Sequence, residues 1–234
     1  AQKITAKWRD RLADVKGLLG EIASKELLSD YSIPIVSTRL AQTEEEAAAI
    51  AAECGFPAVL KILSPDISHK TDVGGVELNL PDAESVRLAY RRIIASVSAK
   101  RPTARIDGVS VQSMVVSSRG VELLLGATRD AVFGPVIVVG SGGVTAEIQH
   151  DVVTELLPLT PRQVRSMLGT LRIYPILEGF RGRPGVDLTQ LVQVILDFAR
   201  LAQDRPELQA VEINPLLVTA DNVLALDARV IVAP

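Results

Sequence analysis

A chain of 234 residues can bury a substantial core, in one domain or in two lobes. Hydrophobic residues make up 47% of it and aromatics only 3%, so the core is built from Val, Leu, Ile and Ala, a composition that suggests helices covering a sheet, an α/β class. The formal net charge of -3, without any long Lys/Arg run, argues against nucleic acid or an anionic membrane as the main partner and leaves room for a small anion in a local positive pocket.

Cys54 is alone, so no intrachain disulfide forms, and nothing resembles a signal peptide or an apolar span of about 20 residues. These features point to a cytoplasmic protein. The opening residue, Ala1, fits both a processed chain and a piece of a longer polypeptide.

In chain order, Leu18, Leu19, Ile22, Leu27, Leu28 and Tyr31 fall at roughly helical spacing, broken near Gly20, and Ser32-Ile33-Pro34 ends the pattern. One helix leading into a short extended piece is expected. Thr43 followed by Glu46 is a capping-box signature for an Ala-rich helix that runs to Cys54 and closes at Gly55. Pro57 to Leu63 and Gly74 to Leu80 read as strands, and Pro81-Asp82 opens a helix through about Val97. The polar break Lys100 to Thr103 suggests a lobe boundary near residue 105. From Gly108, VSVQSMVV, VELLLGATR and PVIVVGSGG read as successive strands of a second lobe. Gly140 to Gly143 is expected to turn into a short helix over Thr145 to Gln149, and Pro161 starts another. Arg172 to Gly185 is loop-like with short helical pieces. Val186 to Gln203 is amphipathic, with Leu188, Leu191, Val192, Ile195, Phe198, Ala199 and Ala202 on one stripe. AVEINPLLV and NVLALDARVIV read as two strands joined through Asp221-Asn222.

Several groups carry chemistry. Lys61 lies in the apolar strand PAVLKIL with no carboxylate nearby in sequence, and burial of an ammonium calls for an anion supplied from elsewhere, such as a phosphate. His69, in the polar loop SHKTD, can be a phosphoryl acceptor, a general base or a solvated turn residue. The Gly74-Gly75 pair is expected to give that loop freedom to turn. On the last hairpin Asn214 and Asp227 can face one another and offer oxygens to a hard cation, with Glu212 on the same face; ordinary alternation of polar residues on a wet sheet explains them equally well. No P-loop signature is present, and Thr145 stands where the dinucleotide fingerprint needs its third Gly, which excludes those two nucleotide motifs. Gly140-Ser141-Gly142-Gly143 can still offer backbone N–H groups to an oxyanion, or can simply be a tight turn. His150 has no accompanying triad or zinc-ligand signature, and Cys54 reads as a small core residue.

Taken in one order, Lys61, HKTDVGG, Gly120-Val121-Glu122, FGPVIVVGSGG, EINPL and LDARV resemble the ATP-grasp subunit or domain of NDP-forming acyl-CoA synthetases, the ADP-forming acetate–CoA ligase group related to the β subunit of succinyl-CoA synthetase. The resemblance runs from about residue 20 to the end. It implies an α+β ATP-grasp fold of two lobes with nucleotide between them, the small lobe at 30–107 and the large lobe at 1–29 and 108–234. By the same resemblance Lys61 binds nucleotide phosphates, the strand Gln112, Ser113, Met114 and Val115 gives backbone contacts to adenine, and Glu122 holds the ribose. Gly142 and Gly143 contact phosphate, Asn214 and Asp227 bind Mg2+, and His69 carries a phosphoryl group transiently. The implied reaction is acyl-CoA + ADP + phosphate giving acid + CoA + ATP. It is shared with a CoA-binding subunit or fused domain that carries a second phosphohistidine, with which the chain forms a hetero-oligomer or a single polypeptide. Similar domains are fused to protein acetyltransferases, and a ligand-sensing regulatory role is the alternative.

Overall fold

A computed structural model of the chain describes residues 2–67, 69–115, 120–143 and 150–233. The chain divides into two compact units, one formed by Ala1–Ile35 with Ser117–Pro234, the other by Val36–Val116.

The first unit opens with helix α1 (Gln2–Leu12), strand β1 (Gly17–Leu19) and helix α2 (Glu21–Asp30). The expected single helix is therefore interrupted. Leu18 and Leu19 belong to β1, because Gly17 takes a positive φ of 77° and turns the chain to pair with the last strand. An apolar run this short does not reveal its period. The unit continues with β6 (Val121–Asp130), β7 (Gly134–Ser141), β8 (Val152–Leu156), α5 (Pro161–Thr170), α6 (Tyr174–Glu178), α7 (Leu188–Asp204), β9 (Leu208–Val218), β10 (Val223–Ala225) and β11 (Ala228–Val232). Its sheet has the order β1-β11-β9-β6-β7-β8, with β10 also paired to β9, and every pairing is antiparallel. The stretch NVLALDARVIV is thus two strands, broken at Leu226-Asp227. The short helix expected over 145–149 lies outside the described residues.

Burial alternates along β6: Val121, Leu123, Leu125 and Ala127 join the core, and Glu122 is exposed. Helix α7 supplies Leu191, Val192, Val194, Ile195, Phe198, Ala199, Leu201 and Ala202 to the same core, and Asp187 caps it by accepting from the N–H groups of Thr189 and Gln190. A reciprocal capping box starts α5, where Thr160 accepts from the Gln163 N–H and the Gln163 side chain accepts from the Thr160 N–H. The N-terminal segment is tied in by Arg205. Its guanidinium, 2% exposed as a residue, donates to the Tyr31 hydroxyl at 2.9 Å, the Ile4 carbonyl at 3.0 Å and Glu207 at 3.3 Å.

The second unit holds β2 (Thr38–Ala41), α3 (Glu44–Cys54), β3 (Ala58–Leu63), β4 (Val76–Leu80), α4 (Ala83–Lys100) and β5 (Gly108–Ser113). The sheet order is β2-β5-β3-β4, again antiparallel throughout. VSVQSMVV was expected in the sheet of the second lobe; its strand β5 instead pairs with β2 and β3, in a sheet with a core of its own. Helices α3 and α4 cover the face that carries Ala58, Leu60, Ile62, Val109 and Val111. Thr43 caps α3 by accepting from the Glu46 N–H; the Glu46 carboxylate returns to the Gln42 N–H at 2.7 Å, one residue earlier than a full capping box would have it. Helices beside wholly antiparallel sheets make the fold α+β. The α/β class suggested by composition does not hold, because composition registers that helices cover a sheet and says nothing of strand direction.

Candidate functional site

In the first unit the site is built around a bulge in β9. Leu123 of β6 pairs with Leu216 and Leu125 with Ile213, so Asn214 and Pro215 together oppose the single residue Leu124. Pro215 has no N–H to lose there, and the bulge re-aims Asn214. On the other side of β9 no bulge falls at this point, with Ala228 opposite Ile213 and Arg229 opposite Glu212, and the Leu226 N–H donates to the Pro215 carbonyl at 3.1 Å. Continued across the break between β10 and β11, from Ala225 opposite Leu216 to Ala228 opposite Ile213, the register sets Asp227 beside Asn214. Asp227 is half-buried, and one of its carboxylate oxygens accepts from the Ala228 N–H at 2.9 Å.

The glycine turn after β7 meets this bulge. The Gly142 N–H donates to the Glu122 carbonyl at 2.8 Å, and the Gly143 N–H donates to Asn214 Oδ1 at 3.2 Å. Gly143 has φ +73°, and a Cβ there would meet Glu122 Oε2 at 2.1 Å; a Cβ on Gly142 would meet the Leu123 carbonyl carbon at 2.4 Å. Close backbone approach, as much as positive φ, therefore explains this glycine pair. Glu122, Gly142, Gly143, Asn214 and Asp227, all of them singled out in the sequence, are thus neighbours. Among the described residues no group of three or more His, Cys, Asp or Glu side chains gathers to hold a metal. The carboxamide and carboxylate of Asn214 and Asp227 are hard oxygen donors, a sparse set that suits Mg2+ completed by water and phosphate.

The second unit holds the other candidates. Lys61 lies on β3, 8% exposed, paired with Val76 and with Ser110. Gln112 is two residues from Ser110 on the same face of β5; it is 5% exposed and its Oε1 accepts from the Thr38 hydroxyl at 3.2 Å. Lys61, Ser110 and Gln112 lie opposite the helix-covered face, a buried polar stripe that alternation alone did not reveal. Strand β5 ends at Ser113, and the Met114 N–H donates to the Pro57 carbonyl at 2.8 Å; Met114 and Val115 are half-buried.

His69 is exposed, on a loop pinned at both ends. Ile67 and Val73 are buried in the core of this unit. The Gly75 N–H donates to the Lys70 carbonyl at 2.8 Å, the Ser96 hydroxyl to the Val73 carbonyl at 2.8 Å, and the Arg105 N–H to the Asp66 carboxylate at 2.7 Å. Gly74 takes a positive φ of 69°, as the expected turn requires, and the pair also serves packing. A Cβ on Gly75 would strike Ile62 Cγ2 at 2.5 Å and one on Gly74 the Ser96 hydroxyl at 2.6 Å, so the pair allows tight packing.

One residue missed in the sequence is Asp151. It is 7% exposed, and its carboxylate accepts from the Ser141 hydroxyl at 3.0 Å, the Arg172 N–H at 2.8 Å and the Ile173 N–H at 3.0 Å. No local pattern announces it, since its partners lie 10 to 22 residues away.

A family model described as an ATP-grasp domain matches residues 10–232. The β subunit of acetate–CoA ligase [ADP-forming] I from Pyrococcus furiosus is 38% identical over 213 residues, 91% of each chain. Acetate–CoA ligase [ADP-forming] I from Archaeoglobus fulgidus is 37% identical over 88% of this chain, which spans only 30% of that longer protein. Among solved structures, the dinucleotide-forming acetyl-coenzyme A synthetase 1 of Ca. Korarchaeum cryptofilum, in complex with coenzyme A, Ca-AMPCP and HgCl+, superposes with a TM-score of 0.90 at 38% identity, over 96% of this chain and 99% of that one. A second structure of that enzyme, with coenzyme A and Mg-AMPPCP and its phosphohistidine segment pointing towards the nucleotide binding site, gives a TM-score of 0.82 at 34% identity, over 99% of this chain and 100% of that one. The chain belongs to the ATP-grasp domain family, among the β subunits and β-type domains of ADP-forming acyl-CoA synthetases.

Proposed function

We propose that this chain is the nucleotide-binding half of an ADP-forming acyl-CoA synthetase and transfers a phosphoryl group between phosphohistidine and ADP. The observation that carries this reading is the meeting of the Gly143 N–H with Asn214 Oδ1 on the β9 bulge, with Asp227 set beside Asn214. A carbonyl oxygen has two lone pairs, so Asn214 Oδ1 can accept from Gly143 and also face a cation. Asn214 and Asp227 would hold Mg2+, which when bound neutralises charge between nucleotide phosphate oxygens.

The residues that would hold the nucleotide are drawn from both units, Lys61 and Gln112 to Val115 from Val36–Val116, and Glu122, Gly142, Gly143, Asn214 and Asp227 from the other. Lys61 would bind the nucleotide's phosphates as a compact point charge. Glu122 would accept from the ribose hydroxyls, and Gly142 and Gly143 would bring backbone close to phosphate. Because the Met114 N–H is engaged by Pro57, adenine contact from Gln112 to Val115 would rely on the Met114 carbonyl and the Val115 amide.

His69 would carry the phosphoryl group. In the direction of ATP formation its P–N bond breaks, a terminal phosphate oxygen of ADP bonds to phosphorus, and the imidazole nitrogen regains its lone pair. Dividing the reaction at phosphohistidine lets this site be coupled to a distant CoA site on a partner subunit or fused domain that carries its own phosphohistidine. The loop is pinned by Ile67 and Val73, so His69 would be presented to an incoming segment of that partner.

Mg-ADP should raise the melting temperature of the chain, by about 2.7 kcal/mol of added stability at 100 times Kd, and Lys61→Ala should abolish most of that rise. With the partner subunit, acyl-CoA and labelled phosphate, the wild type should acquire acid-labile label at His69, and on addition of Mg-ADP it should pass that label to ATP. Undiminished labelling and turnover in His69→Ala would refute the relay.

A further inference from the structure

We propose that Asp151 is a positioning residue of the nucleotide site, acting through Ser141 on the Gly142-Gly143 turn. The inference rests on the nucleotide-binding reading above and deepens it. A carboxylate that is 7% exposed is costly to bury without donors. Asp151 has three neutral ones, arranged in two branches. One branch, the N–H groups of Arg172 and Ile173, fixes the chain just before α6. The other is the Ser141 hydroxyl, and the Ser141 N–H also donates to the Asp151 carbonyl at 2.9 Å.

Ser141 immediately precedes Gly142, whose N–H is held by the Glu122 carbonyl, and Gly143, whose N–H meets Asn214 Oδ1. The carboxylate thus reaches the proposed cation ligand through one side-chain bond, two residues of backbone and one further hydrogen bond. A turn of two glycines has little stiffness of its own, because neither residue restricts its backbone. Its geometry must be imposed from its ends: Glu122 and Asn214 grip the turn itself, and Asp151 grips the strand residue that leads into it. Loss of the Ser141 branch should leave the fold in place and let the Gly143 N–H drift from Asn214. Loss of the other branch should be felt in stability instead.

Calorimetric titration of the full chain with Mg-ADP, alongside its melting temperature, tests this. Ser141→Ala should weaken nucleotide binding about threefold to tenfold, the effect of one buried hydrogen bond, and Ser141→Thr, which keeps the hydroxyl, should bind like the wild type. Asp151→Asn should bind at least as weakly as Ser141→Ala; if it does not fold, the Ser141 pair decides. Equal affinity in wild type and Ser141→Ala overturns the positioning role and leaves the nucleotide reading intact. Equal weakening in Ser141→Ala and Ser141→Thr assigns the effect to packing and also overturns it. A wild-type chain that does not bind Mg-ADP overturns both readings.

Discussion

Gly142 and Gly169 have the same side chain and opposite prospects. At Gly142 an added methyl would lie 2.4 to 2.5 Å from the backbone of Leu123, which cannot move without disturbing β6. Gly142→Ala should therefore cost on the order of 3 kcal/mol, the range for overpacking with backbone shifts. Gly169 stands in α5 with nothing within 4 Å of its added Cβ and no positive φ. Gly169→Ala should stabilise the chain by about 0.5 to 1 kcal/mol, through the entropy of the unfolded state and helix propensity. Denaturant midpoints of the two variants should move in opposite directions. Equal destabilisation would mean that the open space beside α5 is not real.

At the scale of elements, α7 is the framework on which the larger core is laid. Phe198 is fully buried in the middle of it, and Phe198→Ala should cost about 3 to 5 kcal/mol. A loss below 1 kcal/mol by chemical denaturation would show that α7 is not packed as described. This helix was legible because its apolar stripe runs over several turns, from Leu191 to Ala202. So were β3, β4 and α4, where alternation, capping or length separated helix from strand. Strands β1, β2 and β8 were not legible. They are three to five residues long, and β8 is half exposed as the edge of its sheet, so no period identifies it. The candidate site divides in the same way. Asn214 and Asp227 could be placed opposite one another because a hairpin converts sequence distance into register. The bulge that aims Asn214, the burial of Gln112 and the whole of Asp151's role depend on strands distant in sequence.

At the scale of the whole molecule, two hydrophobic cores are each enclosed by their own unit. The first unit reaches back to the start of the chain, where α1 meets α2 through charge. Burial tends to raise the Asp30 carboxyl, but hydrogen bonds from the Lys7 ammonium and the Trp8 indole outweigh it and hold the group below its usual range. Hydrogen bonds from Arg11 and Lys7 lower Glu26 in the same way. A carboxyl lowered in the folded state stabilises it above the unfolded value, near pH 4, and that contribution disappears as pH falls through the folded value. Melting temperature should therefore drop as pH is taken below about 4, and Asp30→Asn should flatten that drop. The effect is modest, because the partners are partly exposed and screened. An identical acid profile in wild type and variant would remove this pair from the account.

The second unit is an insertion within the first, and its incoming and outgoing strands are neighbours: Thr38 of β2 pairs with Gln112 of β5. The host chain is thus interrupted and resumed across a single strand pair. Closing a flexible loop costs more entropy as it lengthens, but here the excursion is closed by its own sheet, where Thr38 pairs with Gln112. It follows that the insertion is separable. A short Gly/Ser bridge in its place should leave a host able to fold on its own core, and the excised piece has strands, helices and a core with which to do the same.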